Sequence, residues 1–300
     1  MAGVQQFERV GDGLRVRAPA KINLSLLIAG KRPDGYHELE TIMAKIDWYD
    51  EILIQAGRQA GIELICQGSE WAPQSKDNLV YRAADLVFRT CARTSDVRLT
   101  LIKNVPAGTG LGSASSDAAA TLMGLNKYLD LRLPAESLAD MAAHLGSDVA
   151  FFLNGPLAFC TGRGEKIEKL PQSFPFTALL VLPSVSVSTK EVYAHYVHDP
   201  ALYQQWKRQI SAHMRKNRVD LVANMCANML RRTSFHLFEE LGRLEEAMES
   251  LGVGPICLSG SGSAMFSILS DQDTERLENL RDRITEKLGC RSILVRDNRW

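Results

Sequence analysis

The run Pro106-Ala107-Gly108-Thr109-Gly110-Leu111-Gly112-Ser113-Ala114-Ser115-Ser116 restricts this chain more than any other segment. Three glycines alternate with other residues, serines follow, and Asp117 and three alanines continue into a helix-forming stretch. Glycine reaches positive φ without strain and lets backbone come close to a ligand. Free N–H groups at the start of the next helix, with its dipole, favour an anion. Serine hydroxyls add donors, or oxygens for a magnesium ion carried by a nucleotide. The physical reading is a phosphate cradle. The competing reading is a surface loop with a serine-rich helix cap. No lysine follows the glycines as in a Walker loop, and Gly108-x-Gly110-x-Gly112 lacks the spacing of a dinucleotide fingerprint.

Any anion binding must be local, because 35 basic and 35 acidic residues cancel. That balance gives no global field for nucleic acid or an anionic membrane. Three hundred residues suffice for a buried core in one large domain or two, and 45% apolar with 23% charged content is globular. No apolar run approaches the ~20 residues of a membrane span, and Met1 to Gly13 has no apolar core of a signal peptide. The six cysteines, Cys66, Cys91, Cys160, Cys226, Cys257 and Cys290, form no Cys-x-x-Cys pair. They read as reduced and mostly buried, which makes the expected location cytoplasmic.

Alternation predicts strands at Leu14 to Ala18, Ile22 to Ala29 and Glu51 to Gln55, with a turn at Arg32-Pro33-Asp34-Gly35. Helices are expected at Asn78 to Arg93 and Ser137 to Leu145, a strand at Val97 to Lys103, and a buried strand or loop end at Val149 to Leu153. The Pro-flanked polar patch at 169–173 suggests a boundary. Beyond it the pattern predicts helices at 189–197, 201–215, 221–231, 237–250 and 274–288, and strands at 177–182, 256–258 and 265–269. Strands and helices mixed in both halves argue for an α+β protein of two domains, residues 1–170 and 171–300.

Four further segments carry chemistry. Lys21 and Asn23 share one face of a strand, either as site residues or as a solvated edge. Asp148 precedes the apolar run Val149-Ala150-Phe151-Phe152; it suits a general base or charge partner, or merely a cap. Tyr36 and His37 end a turn, able to stack on a flat base and read its edge, or to pack beneath the turn. Ser259-Gly260-Ser261-Gly262-Ser263 is a second glycine–serine loop after a strand. His195 and His198, at i, i+3 with no third ligand, are read as packing residues beside Tyr193 and Tyr196 rather than as a metal site.

Together, Pro19-Ala20-Lys21-Ile22-Asn23-Leu24, Pro106 to Ala120 and Leu258-Ser259-Gly260-Ser261-Gly262 resemble the three ordered motifs of the GHMP kinases. Arg32 to His37, Asp77 to Val80, Gly146 to Phe152 and Thr161-Gly162-Arg163-Gly164-Glu165 resemble a branch that phosphorylates a hydroxyl of a cytidine-diphosphate-bearing polyol in the non-mevalonate route to isoprenoids. The resemblance implies a two-domain fold with its active site between the domains, and ATP with Mg²⁺ as cofactors. It implies Asp148 as base, Lys21 holding its charge, and Asn23 positioning the substrate. Pro106, Ala107, Gly108, Thr109, Gly110, Leu111, Gly112, Ser113, Ala114, Ser115 and Ser116 would wrap the ATP phosphates, with Asn78, Leu79 and Lys103 near the adenine. Tyr36 and Tyr193 would sandwich the cytosine, His37 would read its edge, and Gly260, Ser261 and Gly262 would support substrate phosphates or close the site. Ser113 and Ala114 stand where many of these kinases have glycines, Ala150 replaces a frequent proline, and no acidic magnesium ligand is evident.

Overall fold

A computed structural model describes residues 4–93, 96–171, 174–269 and 273–300. The beginning of the N-terminal segment and part of the expected boundary (172 and 173) lie outside the described residues.

A seven-stranded sheet holds β1 (Phe7–Val10), β2 (Gly13–Lys31), β3 (His37–Ala56), β4 (Ile62–Gly68), β5 (Val97–Lys103), β6 (Leu157–Gly162) and β7 (Lys166–Lys169). Its order is β1-β2-β3-β5-β4, with β6 on β3 and β7 on β6. The two strand stretches predicted between Leu14 and Ala29 are one strand. Pro19 does not break it, because the β2–β3 register shifts between Pro19 and Lys21, again between Asn23 and Ser25, and between Ile28 and Gly30. Such bulges bend a strand and re-aim its side chains. The segment from Ala18 to Ile28 is buried throughout, so alternation fades there.

Helices α1 (Leu79–Thr90), α2 (Ser113–Tyr128) and α3 (Ala135–Leu145) pack with this sheet into one apolar cluster that includes Val16, Ile52, Val87, Leu122 and Phe151. A second cluster joins β2, through Ala20, Ile22 and Leu24, to the C-terminal half. There the strands β8 (Thr177–Leu182), β9 (Cys257–Leu258), β10 (Met265–Leu269) and β11 (Arg291–Arg296) form an antiparallel sheet ordered β11-β8-β10-β9. Around it lie α5 (Thr189–His195), α6 (Pro200–Met214), α7 (Val219–Asn224), α8 (Arg231–Leu237), α9 (Glu239–Ser250) and α10 (Thr274–Leu288). The two sheets divide the chain between Lys169 and Thr177.

Three sequence expectations are corrected. Val149–Phe152 is a single helical turn, α4, not a strand; its apolar run is short enough to satisfy either period. The helix expected over 221–231 breaks into α7 and α8. Between them Leu26 donates to Ala227 O and accepts from Met229 N, so the loop pairs with β2 instead of continuing a helix. Cys226 and Cys257 form a disulfide with a Cα–Cα distance of 4.7 Å, against the reading that all six cysteines are unpaired. The same loop brings Cys226 onto β9 from 31 residues away, which no local spacing signals. No helix among the described residues is long and apolar enough to cross a membrane.

Candidate active site

The cradle loop leaves β5 and enters α2 at Gly112, whose φ of 69° places the helix start in left-handed backbone. No side chain caps α2 there. The first-turn N–H groups are therefore free of a side-chain competitor, as an anion site requires. A Cβ at Gly112 would lie 3.0 Å from the Phe152 ring and 3.1 Å from the Lys21 stem, so any side chain here would press on both in addition to the strain of positive φ. Lys21 N in turn donates to Leu111 O at 2.9 Å.

Lys21 is 3% exposed. Its Nζ lies 3.6 Å from Asp148 Oδ2 and donates to Asn23 Oδ1 at 2.5 Å. Asn23 Nδ2 donates to Thr41 Oγ1, which donates to Ser25 O, so the amide is locked by a chain of bonds. Burial holds the Lys21 ammonium below its ordinary pKa, and the Asp148 charge works against that shift. Asp148 sits at the N-cap position of α4, yet its side chain makes no capping bond. Its carboxylate is left to face Lys21.

These groups line a cavity of about 770 Å³ together with Gly108, Gly110, Gly112, Ser113, Ala114 and Ser115 of the cradle. Tyr36, His37, Tyr193, Gly260 and Ser261 line it as well. His37 stands 5.3 Å from the Tyr193 ring and 5.6 Å, edge-on, from Tyr196. Burial first, then the charges of Lys31 and His198, hold the His37 imidazole below its ordinary pKa. Burial raises the Tyr193 hydroxyl well above its own. A neutral imidazole among phenols suits an uncharged heterocycle. Tyr36 is 55% exposed, with the Arg163 guanidinium 5.0 Å from its ring centre.

Pro106, Ala107, Thr109, Leu111, Ser116 and Gly262 belong to the two loops without lining the cavity. Nor do Asn78, Leu79 and Lys103 line it. The Asn78 side chain caps α1, accepting from Val80 N and donating to Pro73 O. Leu79 packs against the core of the first sheet. Lys103 Nζ is buried between Asp50 Oδ2 at 2.5 Å and Asp117 Oδ2 at 2.7 Å. Asp50 Oδ1 accepts from the amides of Asn104 and Val105. The lysine expected near a base therefore ties β3, the loop start and α2 together beneath the cradle.

The second glycine loop also contacts the cradle directly. Ser259 Oγ donates to Gly110 O, and Ala264 N donates to Thr109 O. Two of its polar groups thus hold the cradle, while Gly260 and Ser261 reach the cavity.

Sequence reading missed Lys31, Ser147, Thr189, Lys190 and Tyr196 as lining residues. Lys190 had a signal: Ser188-Thr189-Lys190-Glu191 spells a helix start, and Ser188 Oγ caps Glu191 N. With Lys21, Lys31, Arg163 and Lys190 against the single carboxylate Asp148, the lining suits polyanionic ligands. For a magnesium nucleotide the fit is as follows. Gly108 has open space around it, α2 offers uncapped amides, and Ser113 and Ser115 line the cavity, the Ser113 hydroxyl donating to Pro106 O at 3.3 Å.

Residues 78–156 match the family model of the GHMP kinases N terminal domain, and residues 210–289 that of the GHMP kinases C terminal. The chain is 37% identical over 267 residues to a 4-diphosphocytidyl-2-C-methyl-D-erythritol kinase of Geobacillus sp. (strain WCH70), covering 89% of this chain and 92% of that one. It is 34% identical to the kinase of the same name from Clostridium botulinum (strain Eklund 17B / Type B), over 86% and 91% of the two chains. A crystal structure of 4-(cytidine 5'-diphospho)-2C-methyl-D-erythritol kinase superimposes with a TM-score of 0.72 at 29% identity, over 95% of this chain and 99% of that one. The homoserine kinase of Cytophaga hutchinsonii shares the fold, with a TM-score of 0.74 at 18% identity over 99% and 98% of the two chains.

Proposed function

The chain belongs to the GHMP kinases, and from that premise we propose that it transfers the γ-phosphoryl group of ATP to the 2-hydroxyl of 4-diphosphocytidyl-2-C-methyl-D-erythritol, a step of the non-mevalonate route to isoprenoids. The observation that carries this reading is one cavity containing both the Lys21–Asp148 pair under a phosphate cradle and the Tyr36, His37 and Tyr193 rings. The full-length similarity to kinases of that name supports the same substrate.

Asp148 accepts the proton of the hydroxyl as its oxygen attacks the γ-phosphorus and the bond to the ADP oxygen breaks. General-base help of this kind is worth roughly 10²–10⁴-fold. Lys21, 3.6 Å away, holds the carboxylate and polarises the hydroxyl. Asn23, fixed through Thr41, keeps the Lys21 ammonium in line. The segment Pro106 to Ser116 wraps the ATP phosphates, with amides at the start of α2 and the positive φ of Gly108 giving close approach. Ser113 and Ser115 would help hold the magnesium ion that accompanies the nucleotide, and that ion would supply charge neutralisation. The Tyr36 and Tyr193 rings and the neutral His37 bind the cytosine. Lys31, Lys190 and Arg163 offer cations for its diphosphate, with Gly260 and Ser261 beside them. Binding energy from that part of the substrate aligns the hydroxyl with the γ-phosphorus.

The test is phosphate transfer from ATP–Mg²⁺ to a panel of the cytidylyl substrate, mevalonate, homoserine and water. Selective transfer to the first, lost in Asp148→Asn with ATP binding intact, is the expected result. Transfer to another acceptor overturns the substrate assignment; full turnover by Asp148→Asn overturns the base.

A further inference from the structure

Lys45 is 1% exposed and takes no part in the cavity. Burial, with a contribution from the charge of Lys169, pushes its pKa down to about 7, and among the described residues no carboxylate pairs with it. A lysine buried without a counter-ion is costly, and such a group calls for a reason. Its Nζ donates to Asn154 O at 2.7 Å and to Phe152 O at 3.2 Å, and lies 5.9 Å from the Phe151 ring centre. Those carbonyls belong to the C-terminal end of α4, the single turn that carries Asp148 at its other end.

The β2–β3 register supplies the second half of the argument. Lys21 and Lys45 are direct partners across the two strands. One reaches the carboxylate at the start of α4, the other the carbonyls at its finish. A helix of four residues has almost no cooperative stability of its own, so its orientation depends on what holds its ends. The Phe152 ring, on the turn that Lys45 grips, also packs near the Lys21 stem below Gly112. A shift of α4 therefore changes the Asp148–Lys21 geometry directly.

We propose that Lys45 is a positioning residue for the phosphoryl transfer, gripping the C-terminal carbonyls of α4 so that Asp148 is held against Lys21. The proposal rests on the reading of Asp148 as the base. It explains why a desolvated cation is kept where an apolar side chain of similar length would fill the space.

The experiment compares wild type, Lys45→Met, Asp148→Asn and the double variant, measuring kcat, both KM values and thermal stability. Lys45→Met removes the buried cation and also the donor to Phe152 O and Asn154 O, opposing effects that are expected to leave its melting temperature within about 4 °C of wild type. Its kcat is expected to fall at least tenfold, with KM for ATP and for the cytidylyl substrate within threefold. In the Asp148→Asn background the same change is expected to alter kcat less than twofold, because the group it positions is gone. A kcat within threefold of wild type, or equal losses in both backgrounds, overturns the proposal. If Lys45→Met does not fold, Lys45→Gln, which keeps an N–H donor without the charge, is measured by the same cycle and the same limits. No transfer to the cytidylyl substrate by the wild-type protein would overturn the activity assignment instead, a result separable from any of these.

Discussion

The two glycine–serine loops have nearly the same composition, and each follows a strand, yet their surroundings divide their work. In the first, Gly108 has a φ of +74° with nothing within 4 Å of where a Cβ would stand. The neighbouring Gly110 is closed: its Cβ would come 2.0 Å from Ser259 O. The second loop is tied from several directions. Asn228 Nδ2 donates to Leu258 O and Gly260 O, Ser234 Oγ donates to Ser261 O, and the Ser261 hydroxyl bonds that of Thr189. One loop leads into helix-start amides that no side chain caps, while the other has its carbonyls and hydroxyls largely engaged and directs two bonds to the first. Glycine content shows that backbone must come close to something, and only the neighbours show what that something is.

The change that breaks this division most severely is Gly110→Ala. Left-handed backbone costs a non-glycine residue about 1–2 kcal/mol, and overpacking adds about 1–3 kcal/mol. The two loops would have to separate. The expected outcome is a melting temperature lowered by roughly 5–10 °C with almost no phosphate transfer, read by a thermal melt and a turnover assay. Wild-type behaviour in both would mean that the loops do not support one another.

Gly108→Ala sharpens the comparison from the open side. Here only the left-handed strain applies, about 1–2 kcal/mol, since no neighbour is met. The methyl would stand where phosphate oxygens approach. KM for ATP should rise about tenfold, with the melt nearly unchanged and KM for the cytidylyl substrate within twofold. Unchanged ATP kinetics would remove the cradle role from this loop.

The same division governs what was legible in advance. Strand β5 and helix α10 match the predicted 97–103 and 274–288, the strand through its mostly buried apolar run and the helix through caps at both ends. The Asp273 side chain, for instance, accepts from Glu275 N and Arg276 N. Lys21, Asn23, Tyr36, His37, Asp148 and Tyr193 converge on one cavity as the motifs implied. What stayed hidden is long-range. Nothing near Lys103 in the chain announces Asp50 or Asp117 as its partners, and nothing near Lys45 announces the carbonyls 107 and 109 residues away. Buried lysines, like the Cys226–Cys257 pair, are defined by partners that local pattern does not see. Tyr196 was hidden for another reason: a residue packed against the core can also line a cavity with the rest of its ring.

The smallest expected effect discriminates most finely, because Ser259→Ala touches the contact between the loops without adding bulk. Ser259 is fully buried, and its hydroxyl donates to Gly110 O while standing 3.3 Å from Asn23 N as acceptor. The change leaves one carbonyl and one amide without this partner and creates no clash, a cost of about 1–3 kcal/mol. Because Asn23 also receives the Lys21 ammonium, the loss reaches the site from the substrate side as well as the cradle side. If the second loop acts as support, KM for ATP and kcat should each worsen about two- to fivefold, together with a small drop in melting temperature. If it instead serves substrate phosphates through Gly260 and Ser261 without holding the cradle, ATP kinetics and the melt should stay unmoved in Ser259→Ala. The two outcomes differ in whether ATP kinetics and the melt move, so a modest effect suffices to separate a supporting loop from a binding one.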